Sequence, residues 1–331
     1  MTFVACKVKS ANPYIIVGQG LAGTILAHHF WEAGIPFKIW DSPSTHFTSS
    51  QAAGGIFNPV TGRKLEQTWL ADELFPYLFD YYPRLEAILG ARFFFPMPLF
   101  RPFANEEMKS WLVERKEQIH HSYLRWESNG VWVEQAGWVD VVTLLRVSRD
   151  FFASKGLLVA SEYTGSQAIF CEGFHGQQNP LWSCLPFLPA KGELMEIRSD
   201  VPSEDYILNK NGFIVPLGSR HFKVGATYGW KEFTNETTPV ALEELTKKLA
   251  LMGVEDFELV QQKTGIRPAT QDRRPFVGFH SEKEAGIFNG FGSKGVSLMP
   301  YFAKQWTDEI LGKSTVHPEV SIRRFYHLFS V

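Results

Sequence analysis

Residues 14–34 read YIIVGQGLAGTILAHHFWEAG, and few stretches restrict a fold as much. An apolar, β-prone run from Tyr14 to Val17 leads directly into Gly18, Gly20 and Gly23. A helical pattern follows through Ile25, Leu26, Phe30 and Trp31, with Gly34 as its stop. In a strand–turn–helix of this kind each glycine has a role. Gly18 permits the tight turn, Gly20 lets the backbone approach a pyrophosphate, and Gly23 lets the helix pack close to the sheet. The first helical turn, with Ala22, offers unpaired N–H groups and the positive end of its dipole to phosphates. A second strand, Pro36 to Trp40, ends in Asp41. That acid lies about twenty residues past the loop, where a carboxylate can hold an adenosine ribose hydroxyl. Glycine-rich turns are common, and an ordinary βαβ unit is the alternative. The strand before, the helix after and the acid beyond together specify a dinucleotide site.

The rest of the composition removes other classes of function. At 331 residues the chain is long enough for two packed domains, and 44% hydrophobic with 21% charged residues is a globular balance. Its net charge is −2, without a long block of one sign, so binding to nucleic acid through a basic face is not indicated. No apolar run reaches the length of a membrane span. The opening MTFVACKVKS lacks the apolar core of a secretory signal. Cys6, Cys171 and Cys184 form no CxxC pair and suit a reducing compartment, so the expected location is cytoplasmic. Cys171, with no adjacent base or cation, reads as a buried structural thiol. The pairs His28–His29 and His120–His121 complete no Cys/His cluster, and no metal site is expected.

After Asp41 comes Ser49-Ser50-Gln51-Ala52-Ala53-Gly54-Gly55, a run of small residues, followed by Asn58-Pro59-Val60-Thr61-Gly62-Arg63. Gly137-Trp138-Val139-Asp140 starts an amphipathic helix ending near Gly156, and Leu157 to Ala160 reads as a strand. Ala168 to Gly173 is a buried strand ending in glycine. Strand patterns follow at Leu194 to Ile197, Phe213 to Pro216 and Phe222 to Tyr228, then an amphipathic helix over Leu242 to Leu251 with Glu and Lys on its outer face. Near the C-terminus stand Thr264-Gly265-Ile266-Arg267-Pro268, Asp272, Pro275 and Gly278, and then Phe291-Gly292-Ser293-Lys294-Gly295-Val296 entering a last helix.

In this order the motifs resemble the D-amino-acid oxidase / glycine oxidase superfamily of FAD enzymes over almost the full chain. They match its GxGxxG unit, its AAG segment, its P-x-[KR]-G-[EQ] corner at Pro189-Ala190-Lys191-Gly192-Glu193 and its G-[LI]-R-P…G-x-x-x-x-G signature. The resemblance implies an α/β fold, α+β overall, with a Rossmann-type FAD-binding domain interleaved with a mixed β-sheet substrate domain. The expected division is 1–75, 137–190 and 264–331 for the first and 76–136 and 191–263 for the second. Relatives insert a three-stranded meander where this chain has only Ser161 to Gln167, which implies weaker retention of the adenosine half.

The resemblance also implies roles. Gly18, Gly20, Ala22, Gly23, Asp41, Ser50, Gln51, Ala52, Ala53, Gly54, Gly173, Gly292, Ser293, Lys294, Gly295 and Val296 would hold FAD. Arg267 would clasp a substrate carboxylate through its planar fork. Lys294 would add positive potential, Lys223 would assist reaction with O2, and Tyr228 would face substrate. The activity implied is oxidation of the C–N bond of an amino acid or related amine, with O2 or another electron acceptor restoring the flavin. Two alternatives are a flavoprotein without turnover and an NAD-dependent enzyme using the same loop.

Overall fold

A computed structural model describes residues 12–41, 49–119, 122–160 and 167–329. Cys6, His120, His121 and the shortened segment 161–166 lie outside the described residues. The six α-helices of this part are α1 (Leu21–Ala33), α2 (Ala71–Leu89), α3 (Glu106–Glu114), α4 (Val141–Ser154), α5 (Pro239–Leu251) and α6 (Gly295–Ile310).

Tyr14–Val17 is a central strand of a six-stranded sheet. The order is Leu158–Val159, Phe37–Trp40, Tyr14–Val17, Ala168–Phe170, Ala285–Asn289, Phe276–Phe279. All neighbours are parallel except the last pair. The chain moves outward one way from Tyr14–Val17 and later the other way, so the strand order reverses there. In open α/β sheets that switch point opens a crevice at the carboxyl ends of the strands. Helix α1 is buried from Leu21 through Phe30. A helix apolar on all sides belongs in a core, and α1 lies between the sheet and α4 and α6. It stops at Gly34, which at φ 69° adopts the left-handed cap conformation and donates to the Phe30 and Trp31 carbonyls.

The second sheet has eight strands in the order Glu258–Arg267, Ala190–Arg198, His221–Gly225, Phe213–Gly218, Ile207–Asn209, Leu99–Pro102, Gly130–Val133, Leu124–Trp126. Its neighbours are antiparallel except Ile207–Asn209 beside Leu99–Pro102. Leu245 and Leu249 of α5 cover one face, packing with Met195, Ile197 and Val224. Each such leucine contributes about 1.5–3 kcal/mol by leaving water. The eight strands come from two stretches of chain separated by returns to the six-stranded sheet, so the two regions interleave.

Two expectations are corrected, and one expected boundary falls within a continuous helix. Gly137–Val139 is a strand between Ile56–Phe57 and Phe94–Pro96, not the first turn of a helix. Asp140 caps α4 instead, accepting from Thr143 N at 3.1 Å. The boundary expected between residues 75 and 76 falls inside α2, a continuous helix whose Tyr82 hydroxyl donates to the Val296 carbonyl of α6 at 2.8 Å. We propose that the division lies after Leu89. Lys248, expected on the outer face of α5, turns inward and is 20% exposed.

Two histidines anchor α1. His28 Nε2 meets Ser148 Oγ at 2.8 Å, and His29 bridges the Ile25 carbonyl and the Tyr77 hydroxyl at 2.8 and 2.9 Å. Burial pushes His28 down to about 3, with His29 beside it adding to the effect. Burial likewise pushes His29 down to about 4, against the Ile25 hydrogen bond. In the unfolded chain imidazole titrates near ~6.5. Below that value the unfolded chain binds the additional protons, so stability is full above it and falls as pH drops toward the folded values. The expected slope is up to about 1.4 kcal/mol per pH unit for each ring. Urea unfolding at about pH 7.5 and about pH 5 measures it. The double variant His28→Leu/Ser148→Ala is expected to show the shallower dependence; an equal slope would mean His28 is already protonated in the fold.

Candidate active site

At the switch point the GxGxxG turn is built by close contacts. Gly18 has φ 96° and donates to the Trp40 carbonyl at 2.8 Å. A Cβ on it would lie 2.8 Å from the Cys171 carbonyl oxygen of the neighbouring strand. A Cβ on Gly23 would overlap the Gly18 carbonyl oxygen, so only glycine lets α1 seat on the loop. Gly20, by contrast, has ordinary φ, and its Cβ would meet only Ser50 Oγ, at 3.4 Å. Space, not strain, is what glycine supplies there. Leu21 N–H donates to Ser50 Oγ at 3.0 Å, so the AAG segment is held at the N-terminus of α1.

Gly18, Gly20, Ala22 and Asp41 line one end of a cavity of about 500 Å3. Asp41 accepts from Gln19 N–H at 3.0 Å and pairs with Arg149 at 3.5 Å, while Arg149 also donates to Gln19 Oε1 at 2.5 Å. The acid thus braces the loop it faces. Gly173, with φ 58°, lines the same end, and a Cβ on it would meet nothing within 4 Å. A bare backbone cradle, a helix N-terminus and a ribose-height carboxylate fit the two halves of a dinucleotide.

The cavity then runs along Ser49, Ser50, Ala52, Ala53 and Gly54 toward the second sheet. A Cβ on Gly54 would lie 2.9 Å from Phe213, and one on Gly265 would lie 2.9 Å from Ser49 Cα. The small residues therefore let two sheets close on one loop. The far wall comes from the C-terminal signature. Gly292 N–H donates to the Pro268 carbonyl at 3.0 Å, joining the end of the G-I-R-P segment to the loop before α6. Gly292, Ser293, Gly295 and Val296 line the cavity. The Gly292 amide is spent on Pro268, so the donor pointing inward is expected from the first turn of α6.

Arg267 closes this end, stacked on the Tyr228 ring at 4.1 Å. Its guanidinium occupies the place that a side chain on Gly192 would take. Its acceptors are carbonyls of Lys191 and Thr227 at 3.3–3.4 Å, and among the described residues it has no carboxylate partner. Burial lowers its affinity for a proton, yet guanidinium stays charged in proteins. Tyr228 lines the cavity and is 53% exposed.

Four expected residues are not part of the lining. Gly23 acts through packing, and Gln51 is exposed. Lys294 turns away, its Nζ 3.5 Å from Thr68 Oγ1; burial and the neighbouring Arg273 and Arg274 lower its proton affinity. It does not converge with Arg267. Lys223 lies behind the AAG segment, donating to the Ala53 carbonyl at 3.3 Å over the Trp138 ring at 5.3 Å. Burial lowers its proton affinity, opposed by Glu196 and Asp140. Sequence reading missed Arg149, Glu172, Glu193, Asn211, Asn235, Lys248 and Asn289. All but Glu193, which stands in the Pro189–Glu193 corner, lie on elements of unremarkable pattern, and each becomes significant only through tertiary packing. Cys171 is buried, and burial pushes its thiol up. Among the described residues no cluster of three His, Cys, Asp or Glu could hold a metal ion, and no helix is long and apolar enough to cross a membrane.

Comparison with known proteins agrees with this geometry. The glycine oxidase of Bacillus licheniformis is 31% identical over 130 residues, 38% of this chain and 35% of that protein. The matched region is thus about a third of the length of such curated relatives. Among solved structures, glycine oxidase from Geobacillus kaustophilus superposes with a TM-score of 0.75 at 19% identity, covering 91% of this chain and 95% of that one. Iminodiacetate oxidase from Chelativorans sp. BNC1 gives 0.75 at 17% identity, covering 92% and 97%. At such identities the likeness is one of fold. The family described as DAO, FAD dependent oxidoreductase, matches residues 13–309, nearly the whole chain, and the protein belongs to it.

Proposed function

We propose that the protein oxidises the C–N bond of an amine or amino acid bearing a carboxylate, using FAD held in the cavity. The observation that carries this reading is Arg267, a guanidinium lining the cavity whose acceptors are carbonyls at long range. A planar fork held between Gly192 and Tyr228 is suited to a carboxylate, to which it can give two parallel charge-assisted bonds.

The chain's own residues divide the work. Gly18, Gly20 and Ala22 would take the pyrophosphate at the positive end of α1, and Asp41 the ribose. Ser50, Ala52, Ala53 and Gly54 on one side, with Gly292, Ser293, Gly295 and Val296 on the other, would flank the flavin. When bound, FAD supplies the hydride acceptor. Arg267 orients the substrate by its carboxylate, so that the reacting C–H is fixed rather than sampled. Leu194, Phe213 and Ile266 give that end its apolar walls. The N-terminus of α6 places a positive potential where negative charge develops, and Lys223 adds a cation behind Ala53.

Arg267→Ala is expected to raise KM tens-fold or more for a carboxylate-bearing amine, consistent with losing about 2–5 kcal/mol from a desolvated pair. The neutral amide of the same substrate is expected to be unaffected, and FAD content unchanged. Arg267→Lys recovers part of the loss. Gly192→Ala is expected to displace the guanidinium and give the same signature from the other side. Equal damage to acid and amide would make Arg267 structural. A set of amines that leave the flavin colour unchanged under anaerobic conditions would instead favour binding without turnover.

For the cofactor, Gly20→Val is expected to purify folded but colourless, because its side chain fills the cradle without straining the turn. Asp41→Ala is expected to weaken FAD by about 1–3 kcal/mol, read by calorimetry on the apoprotein. Full FAD retention in Gly20→Val would remove the pyrophosphate assignment. Lys223→Met is expected to slow the O2-dependent return of colour after anaerobic bleaching while leaving the bleaching rate nearly intact. Equal rates of return would assign Lys223 to packing.

A further inference from the structure

The substrate end of the cavity contains a second cation. Lys248 of α5 lines it, with its Nζ donating to the Ala226 carbonyl at 2.8 Å and pairing with Glu244 at 2.7 Å. The next carbonyl along, that of Thr227, is the neighbour of the Arg267 fork at 3.4 Å. Two cations therefore rest on consecutive carbonyls of one segment and open onto one cavity. An ammonium has three donors, and two of these are engaged.

The surroundings of Lys248 are polar in a way that an apolar side-chain pocket is not. Its stem passes Gly212, where a Cβ would lie 3.5 Å from Lys248 Cδ. Gly212 follows Asn211, which sits at φ 54° in the turn of a hairpin and lines the cavity. Asn235 lines it from the facing loop. That loop is fixed because buried Lys191 donates to Thr234 Oγ1 at 2.9 Å and to the Glu236 carbonyl at 2.7 Å. Neither carboxamide has a side-chain hydrogen bond among the described residues. Glu193 is a carboxylate that lines this end, and its oxygens are taken by Thr238 N and Oγ1 at 2.9 Å and Gln262 at 2.8 Å. Lys191 stands 3.8 Å from it.

From this arrangement we infer that the protein's substrates are amines with two acidic groups, one clasped by Arg267 and the second held by Lys248 with Asn211 and Asn235. The inference rests on the reading of Arg267 as the first carboxylate's partner. A substrate with an apolar distal end would cover the remaining Lys248 donor without giving it a partner, which is unfavourable, while the exposed carboxamides of Asn211 and Asn235 stand at the rim of the same end. A distal carboxylate satisfies them, and its charge-assisted bonds are the stronger kind.

The test uses FAD-loaded protein and unreactive acids, with binding read by calorimetry rather than turnover. Succinate, glutarate and adipate are compared with their monomethyl esters, which keep the length and lose one charge. At least one diacid is expected to bind tenfold or more tighter than its ester. In Lys248→Met the diacid is expected to fall to within twofold of the ester while ester affinity stays, and Lys248→Arg is expected to keep most of the preference. Asn235→Ala, on an exposed loop, is expected to narrow the ratio without changing ester binding. Arg267→Ala is expected to lose both ligands. Equal binding of every diacid and its ester to the wild type, or an equal loss of both in Lys248→Met, would overturn the second site. Unchanged ester binding in Arg267→Ala would instead overturn the reading on which it rests.

Discussion

The contact on which the rest depends is the seating of Gly23 over the Gly18 carbonyl. There α1 approaches the turn more closely than any side chain permits. This brings the buried face of α1 onto the sheet and points its N-terminus at the carboxyl ends of Tyr14–Val17 and Ala168–Phe170. Ser50 then attaches the AAG segment to that N-terminus, and Gly265 lets the long strand of the second sheet close on the same segment. The cavity is the space left between these contacts. Its two ends are joined through one short loop, so an error in seating α1 propagates to Arg267.

Charge is distributed along the cavity by the same logic. At the dinucleotide end a helix terminus supplies positive potential without a side chain, and Asp41 is steadied by Gln19 and Arg149. At the substrate end the positive charge is carried by side chains held against backbone carbonyls, Arg267 on Thr227 and Lys248 on Ala226, with Lys248 also paired to the solvent-exposed Glu244 at 2.7 Å. A cation that rests on carbonyls keeps most of its field for a ligand, whereas one already paired with a buried carboxylate does not. Lys191 is the contrast: it stands beside Glu193 and anchors a loop.

Much of this was legible in the sequence because glycine reports backbone demands directly. Gly18, Gly23, Gly54 and Gly265 each occupy a place where a Cβ would collide with a neighbour. Arg267 was legible because it stands between Gly265 and Pro268, where the structure ends the long strand Glu258–Arg267. What the sequence hid are side-chain directions. Lys294 follows the cavity-lining Ser293, yet its stem runs to Thr68 instead. Lys248 has the spacing of a solvated lysine, and only the packing of α5 over the second sheet turns it inward. Gly137 reads as the start of a helix because Asp140 is a good cap, but three cross-strand partners claim Gly137–Val139 first. Pairings across long separations in sequence leave no local trace.

The grip of Lys191 on the loop at Thr234 and Glu236 has a consequence for how molecules enter. Swinging that loop aside would strip two acceptors from the ammonium of a side chain that is 8% exposed, with little water to replace them. The loop is therefore a fixed jamb and not a moving door. Beside it is an open face where Tyr228, which lines the cavity, and Trp230 stack at 6.3 Å, each residue more than half exposed. With this part of the rim fixed, discrimination among ligands is left to the charges that line the cavity.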